Sequence, residues 1–318
     1  MKVVKDHENK WSGYGLRIFL NTLSHPFEYA KVLIQIGYEP IPPHPSKTLL
    51  GKPALKLPNI FQYVKHIKTV DGLSGCYRGL GPKVCGNLIS VVATQKMIDY
   101  LDLNRAEEEE DTDVEENRKQ KFLKCLKGDI ITHTTAIVIS QPFHVITIRI
   151  MSQFVGKETK YVGIFGSIGE IYRQNGILGF FSGLIPRLIG DILSVLLASS
   201  LTYAINKYLI EEKELQNYTS AAICYLFFKN HISQMLSSSI MYPFQVVSNC
   251  MAVSNSGLVA GSPPSMMHYN SWIDCWNDLS SRNQLKRGSS LLVRYYKGPQ
   301  FVPSNKGNVP IGKDQKAF

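Results

Sequence analysis

The dipeptide Pro-Phe stands at Pro26, Pro142 and Pro243, each time inside a long and mostly apolar stretch. A recurrence of that length constrains the fold more than composition does, because one chain path must be reused in every repeat. Each dipeptide is followed by a loop with an amphipathic stretch, and then by an aromatic residue, a polar residue and glycine: Tyr77-Arg78-Gly79, Phe181-Ser182-Gly183 and Tyr296-Lys297-Gly298. In the first two repeats a second apolar stretch comes next. The pattern predicts long helices over about 12–37, 82–103, 126–154, 184–210 and 221–253, with short ones near 59–70, 162–174 and 269–279. The Pro-rich segment 39–45 reads as a stiff, exposed turn. Past Gly298 there is no apolar run, so a sixth long helix is expected to be missing. The domains are therefore repeats at 1–104 and 122–213, an acidic linker at 105–121, an incomplete repeat at 214–298 and a polar tail at 299–318.

The long stretches share a second property. Arg17, Asn21, Ser24, Glu28, Lys31 and Gln35 recur at steps of three and four, which puts them on one helical face. Comparable stripes are Lys83, Asn87, Ser90 and Thr94; Ser140, His144 and Thr147; Arg187, Asp191 and Ser194; and His231, Gln234, Ser238, Tyr242, Gln245 and Asn249. Such helices suit either a soluble bundle or membrane helices turned towards a hydrated interior. Length favours the membrane, since about 20 residues at ~1.5 Å each cross a ~30 Å hydrocarbon layer. So do the mid-segment prolines, which cost roughly 3 kcal/mol in a water-exposed helix but are tolerated in membrane bundles. The mean hydropathy of −0.07 and the lack of an 18-residue uninterrupted apolar run exclude a plain lipid-embedded bundle. The net charge of +10 persists although eight of the 25 acids fall within Glu107–Glu116. Basic residues beside membrane helices explain that surplus as well as nucleic acid would.

This layout resembles the mitochondrial solute carriers, whose repeat signature is Pro-x-Asp/Glu-x-x-Lys/Arg and later Asp/Glu-Gly, four residues, aromatic, Lys/Arg, Gly. The first repeat carries both halves, in Pro26, Glu28 and Lys31 and in Asp71-Gly72 through Gly79. The others are eroded: Pro142, His144 and Thr147, with Asn175-Gly176 leading to Gly183, then Pro243, Gln245 and Ser248. The phrases HPFEYAKVLIQIGYEP, GLIPRLIGDILS, YPFQVVSNCMAVSNSGL and SWIDCW narrow the likeness to the mitochondrial carrier homolog family. The resemblance implies an all-α, multi-pass protein of the mitochondrial outer membrane that inserts α-helical, notably tail-anchored, membrane proteins. It also implies lipid scrambling and the docking of a pro-apoptotic ligand. Clients, phospholipids and that ligand are thus the expected partners, with no nucleic acid and no cofactor.

Charged groups mid-span cost roughly 2.5–3.5 kcal/mol on insertion scales, so they face water or a partner. Lys31, Asp191 and Tyr242 are the leading candidates for a groove that accepts inserting segments. Arg17, Glu28, Asn87, Arg187, Lys229, His231, Gln234 and Gln245 follow. For Glu28 and Lys31 a mutual ion pair is the competing reading; for Asp191 it is pairing with Arg187, and for Tyr242 simple packing beside the proline. His133 and His144 suit packed, hydrogen-bonded roles and lack the clustered ligands a metal wants. Carriers close their cavity with a ring of acids and bases from all three repeats, which His144, Thr147, Gln245 and Ser248 do not supply. Five of six helices would leave the polar faces open sideways to lipid. None of the phosphate-loop, dinucleotide, zinc-protease or nucleophile-elbow motifs occurs, so nothing marks an enzyme. A residual solute carrier and a receptor without a path are the rival functions.

Overall fold

The computed structural model describes residues 2–47, 51–106, 116–209, 239–296, 301–304 and 307–310. In chain order its elements are α1 (Lys2–Gln35), β1 (His44–Lys47), β2 (Pro53–Leu57), α2 (Ile60–Gly75), α3 (Leu80–Ala106), α4 (Glu116–Ser152), α5 (Gly163–Asn175), α6 (Leu184–Leu209), α7 (helical over 239–253), α8 (Trp272–Ser281) and β3 (Arg294–Tyr295). Two short strands, Phe301–Ser304 and Gly307–Pro310, pair with each other in the tail. All the long elements are helices, and each of the first two repeats has two long ones around a short one, as the repeat predicts. Pro26 and Pro142 lie within α1 and α4. Hydroxyls near each proline bond back to the preceding turn: Thr22 donates to the Ile18 carbonyl at 2.8 Å and Ser140 to the Ile137 carbonyl at 3.3 Å. Among the described residues, Phe122–Ser152 and Ile177–Tyr203 are long and apolar enough to cross a membrane, with mean hydropathies of 1.2 and 1.7.

The chain divides into two units. One comprises Met1–Gly86, Pro142–Ser182 and Asn249–Phe318. Its core includes Tyr29, Leu33, Tyr63, Ile67, Ile146, Met151 and Ile171, all fully buried. Phe154 receives the edges of Tyr29, Tyr38 and His66 at 6.1–6.3 Å between centroids. Two of the short helices start on side-chain caps, Asn59 with Gln62 for α2 and Ser271 with Asp274 for α8.

The segment 39–45 departs from expectation. Glu39 is 1% exposed, and His44–Lys47 is a strand paired with β2. The cause lies far along the chain: β3 adds to β2, with Leu57 opposite Arg294, and Arg294 forms an ion pair with Glu39 while donating to the Pro58 carbonyl at 2.9 Å. Residues 291–296 are tied to the first repeat by Ile60 N–H to the Leu291 carbonyl and Tyr296 N–H to the Leu55 carbonyl, both 2.9 Å.

The other unit comprises Asn87–Gln141 and Gly183–Ser248. There α6 meets α7 closely enough that a Cβ on Gly190 would stand 2.8 Å from the Phe244 Cβ. Phe122 and Tyr203 stack at 4.6 Å between centroids, joining α4 to α6.

Candidate functional site

The erosion of the carrier signature has a geometric counterpart. Thr147 and Ser248 stand five residues after their prolines, where Lys31 stands after Pro26. Both receive the backbone of a glycine from the preceding repeat. A Cβ on Gly79 would lie 3.2 Å from the Thr147 carbonyl oxygen, and one on Gly183 would overlap the Ser248 carbonyl. Both glycines have positive φ, +79° and +74°, so no other residue would adopt these turns without strain. The Ser248 hydroxyl donates to the Gly183 carbonyl at 2.8 Å and that of Thr147 to Phe143 at 2.7 Å. With both residues buried, these two places hold dry hydroxyls where the first repeat has the base Lys31.

In the first unit, a polar patch forms where α1 meets α3. Glu28 accepts from the Lys83 ammonium and, at 3.1 Å, from the Ser24 hydroxyl. The ion pair of Glu28 therefore runs to the next helix, to a residue that the α1 stripe alone could not reveal. The Glu28 side chain is 43% exposed and Lys31, one turn further, is half-buried. The stripe does not stay wet to its end. Gln35 is 1% exposed, its side chain accepting from Asn249 at 2.7 Å. Arg287 donates to the Gln35 carbonyl and lies 3.0 Å from the Cys250 sulfur. Beyond the helix, burial pushes the Glu39 carboxyl up, against the pull of Arg294.

In the second unit, Asp191 on α6 faces His133 on α4, with Nδ1 and Oδ2 3.2 Å apart. Arg187 instead donates to the Gln141 side chain at 2.7 Å. The expected Arg187–Asp191 pair is thus replaced by two contacts to α4, because each side chain reaches across the helix interface rather than along its own helix. His133 is no packed histidine either: its side chain is 53% exposed and that of Asp191 32%. The available signal was an acid and an imidazole within two largely apolar stretches. Asn87 is half-buried and Gln245 exposed, whereas Tyr242 is buried and takes the packed reading. Lys229, His231 and Gln234 lie outside the described residues, as does the side chain of Arg17. Among the described residues no three His, Cys, Asp or Glu gather to hold a metal.

The family model described as mitochondrial carrier protein matches residues 10–103 and 118–213. Mitochondrial carrier homolog 2 of Mus musculus is 41% identical over 284 residues, covering 86% of this chain and 90% of the relative. The protein of the same name from Homo sapiens is 40% identical over the same shares. Mitochondrial carrier homolog 1 of Mus musculus is 37% identical over 287 residues, 86% of this chain and 74% of the relative.

Proposed function

We propose, from the premise that this chain belongs to the mitochondrial carrier homolog family, that it is an insertase of the mitochondrial outer membrane for α-helical, tail-anchored clients. The observation that carries this reading is the His133–Asp191 pair, half-exposed on the two helices long and apolar enough to span a bilayer. A polar segment end entering hydrocarbon loses its hydrogen bonds to water at a cost of several kcal/mol. Side chains such as Asp191, His133, Glu28 and Lys31 offer substitute partners at membrane depth. No covalent chemistry and no energy source are needed for that. The same polar faces let lipid head groups move while tails stay in the bilayer, so scrambling accompanies insertion.

The dry hydroxyls of Thr147 and Ser248 speak against the rival reading as a solute carrier. With buried, uncharged side chains at those positions, the second and third repeats supply no base for an alternating charge gate. The test is reconstitution of the purified protein into liposomes with a labelled tail-anchored client. Protease-protected client several-fold above empty liposomes is the expected result. Insertion no better than empty liposomes contradicts the proposal.

A further inference from the structure

Two buried thiols meet where the third repeat packs on the first. Cys250, in the last turn of α7, is 1% exposed, and Cys275, in the first turn of α8, is fully buried. Both are free cysteines, hydrogen-bonded to each other. The Arg287 guanidinium lies against the first of them, with Nη2 3.0 Å from the Cys250 sulfur. We propose that this pair is an oxidation site, at which hydrogen peroxide converts the two thiols into a Cys250–Cys275 disulfide. The site lies apart from the polar patches and does not rest on the insertase reading.

Cysteines whose Cβ vectors point apart cannot be bridged without moving the backbone, whereas sulfurs already in contact meet that requirement. Here the two sit on separate elements joined by the loop 254–271, so the contact is made by tertiary packing and not by local spacing.

The surroundings give the two sulfurs different roles. A thiolate, not a thiol, attacks peroxide, and a guanidinium in contact with it stabilises that form. Arg287 is fixed at this point by donating to the Gln35 carbonyl and, at 3.1 Å, to the Gln284 side chain, so its charge stays beside Cys250. At Cys275 the balance runs the other way. Its hydrogen bond to Cys250, and then burial, push its thiol up, and Asp278 acts in the same direction. The positive end of α8 would favour a thiolate there, but it already faces Asp274 of the capping box. Cys250 is therefore the attacking sulfur and Cys275 the resolving one.

The oxidant has to be small. A cavity of about 50 Å³ has Arg287 in its wall together with Tyr269, Asp278 and Leu279. It has room for a few water-sized molecules, and a peptide disulfide does not fit in it. The Cys250 thiolate attacks one peroxide oxygen, the O–O bond breaks, hydroxide leaves, and the sulfur becomes a sulfenic acid. The Cys275 sulfur then attacks the Cys250 sulfur, its proton joins the departing hydroxyl, and water leaves as the S–S bond forms. Each sulfur has lost one electron to the peroxide, which ends as water once the proton given up by Cys250 neutralises the hydroxide. The product fastens α8 covalently to α7.

In the test, the full-length protein in detergent is reduced, freed of reductant and treated with hydrogen peroxide, and its disulfides are mapped by mass spectrometry. The Cys250–Cys275 cross-link is expected in most chains, forming at least about fivefold faster than the exposed Cys125 is oxidised and reversed by a phosphine. Cys275→Ser should leave Cys250 as a sulfenic acid that a 1,3-dione traps, whereas in Cys250→Ser the dione finds no sulfenic acid at Cys275. Arg287→Gln slows the cross-link about tenfold; the two serine variants keep the test decisive if that variant does not fold. No cross-link at a peroxide dose that oxidises Cys125, dione label on Cys275 in place of Cys250, or a cross-link formed as fast by oxidised glutathione as by peroxide would each overturn the assignment.

Discussion

The Ser248 hydroxyl donates to the Gly183 carbonyl oxygen at 2.8 Å, while the Ser248 carbonyl fills the space a Gly183 side chain would need. This contact joins the second repeat to the third, and it occupies the place of a carrier's gating charge. Gly183→Ala is expected to cost about 2–4 kcal/mol, from the left-handed backbone and the collision together. Gly176→Ala, at φ +64° and ψ −157° with open space around it, costs only the backbone part, about 1–3 kcal/mol. Thermal unfolding in detergent ranks the two; equal costs would show the close approach to be unimportant.

The Glu28–Lys83 pair links α1 to α3 while part of Glu28 stays exposed. Reversing either charge is expected to lower the unfolding temperature modestly, since partly exposed pairs contribute no more than about 1 kcal/mol. Glu28→Lys combined with Lys83→Glu recovers most of the loss. Additive losses in the double variant would mean the contact is not energetically coupled.

Glu39 and Arg294 are both buried, so removing one partner strands the other. Arg294→Met is expected to destabilise by about 3–5 kcal/mol. The Glu39→Gln, Arg294→Met double variant should lose less than the two single losses added. pH gives a second readout. Burial holds the Glu39 carboxyl above its ordinary value and Arg294 is the main force lowering it. A raised folded value contributes stability below the unfolded value that is lost as pH rises through the folded one. Without Arg294 that window extends upward, so the deficit of Arg294→Met should shrink as pH falls from 7 towards 5. A pH-independent deficit would contradict the buried-carboxylate account.

Asp191→Leu removes a charge that pairs with His133 and remains accessible. Insertion into liposomes is expected to slow about tenfold, equivalent to ~1.4 kcal/mol of barrier. Asp191→Asn, which keeps an acceptor, loses less. Unchanged insertion in Asp191→Leu at equal protein abundance favours a receptor without a path.

Much of this was legible before any coordinates. The three prolines, the glycines closing each turn and the three-and-four spacing set the helices and the polar stripes, because each is a local signal. What stayed hidden is long-range. Nothing near Glu39 announces Arg294, and nothing on α1 announces Lys83 or Asn249. Periodicity assigns Gln35 and Lys31 to one face, but only packing decides that Gln35 is dry. It likewise pairs Arg187 with Asp191 by helical spacing, while the interface sends them to Gln141 and His133. Short strands such as β3 escape pattern reading because two residues carry no period.

The central claim is that the polar faces around Ser24, Lys31 and Asp191 are reached by water within the membrane. The direct measurement is a set of single-cysteine variants at these positions and at Gln35 and Thr147, in a background keeping the buried Cys250 and Cys275. Each is reconstituted in liposomes and treated with a charged, membrane-impermeant thiol reagent. The account predicts rapid modification at 24, 31 and 191 and protection at 35 and 147. Protection at all five positions would contradict it.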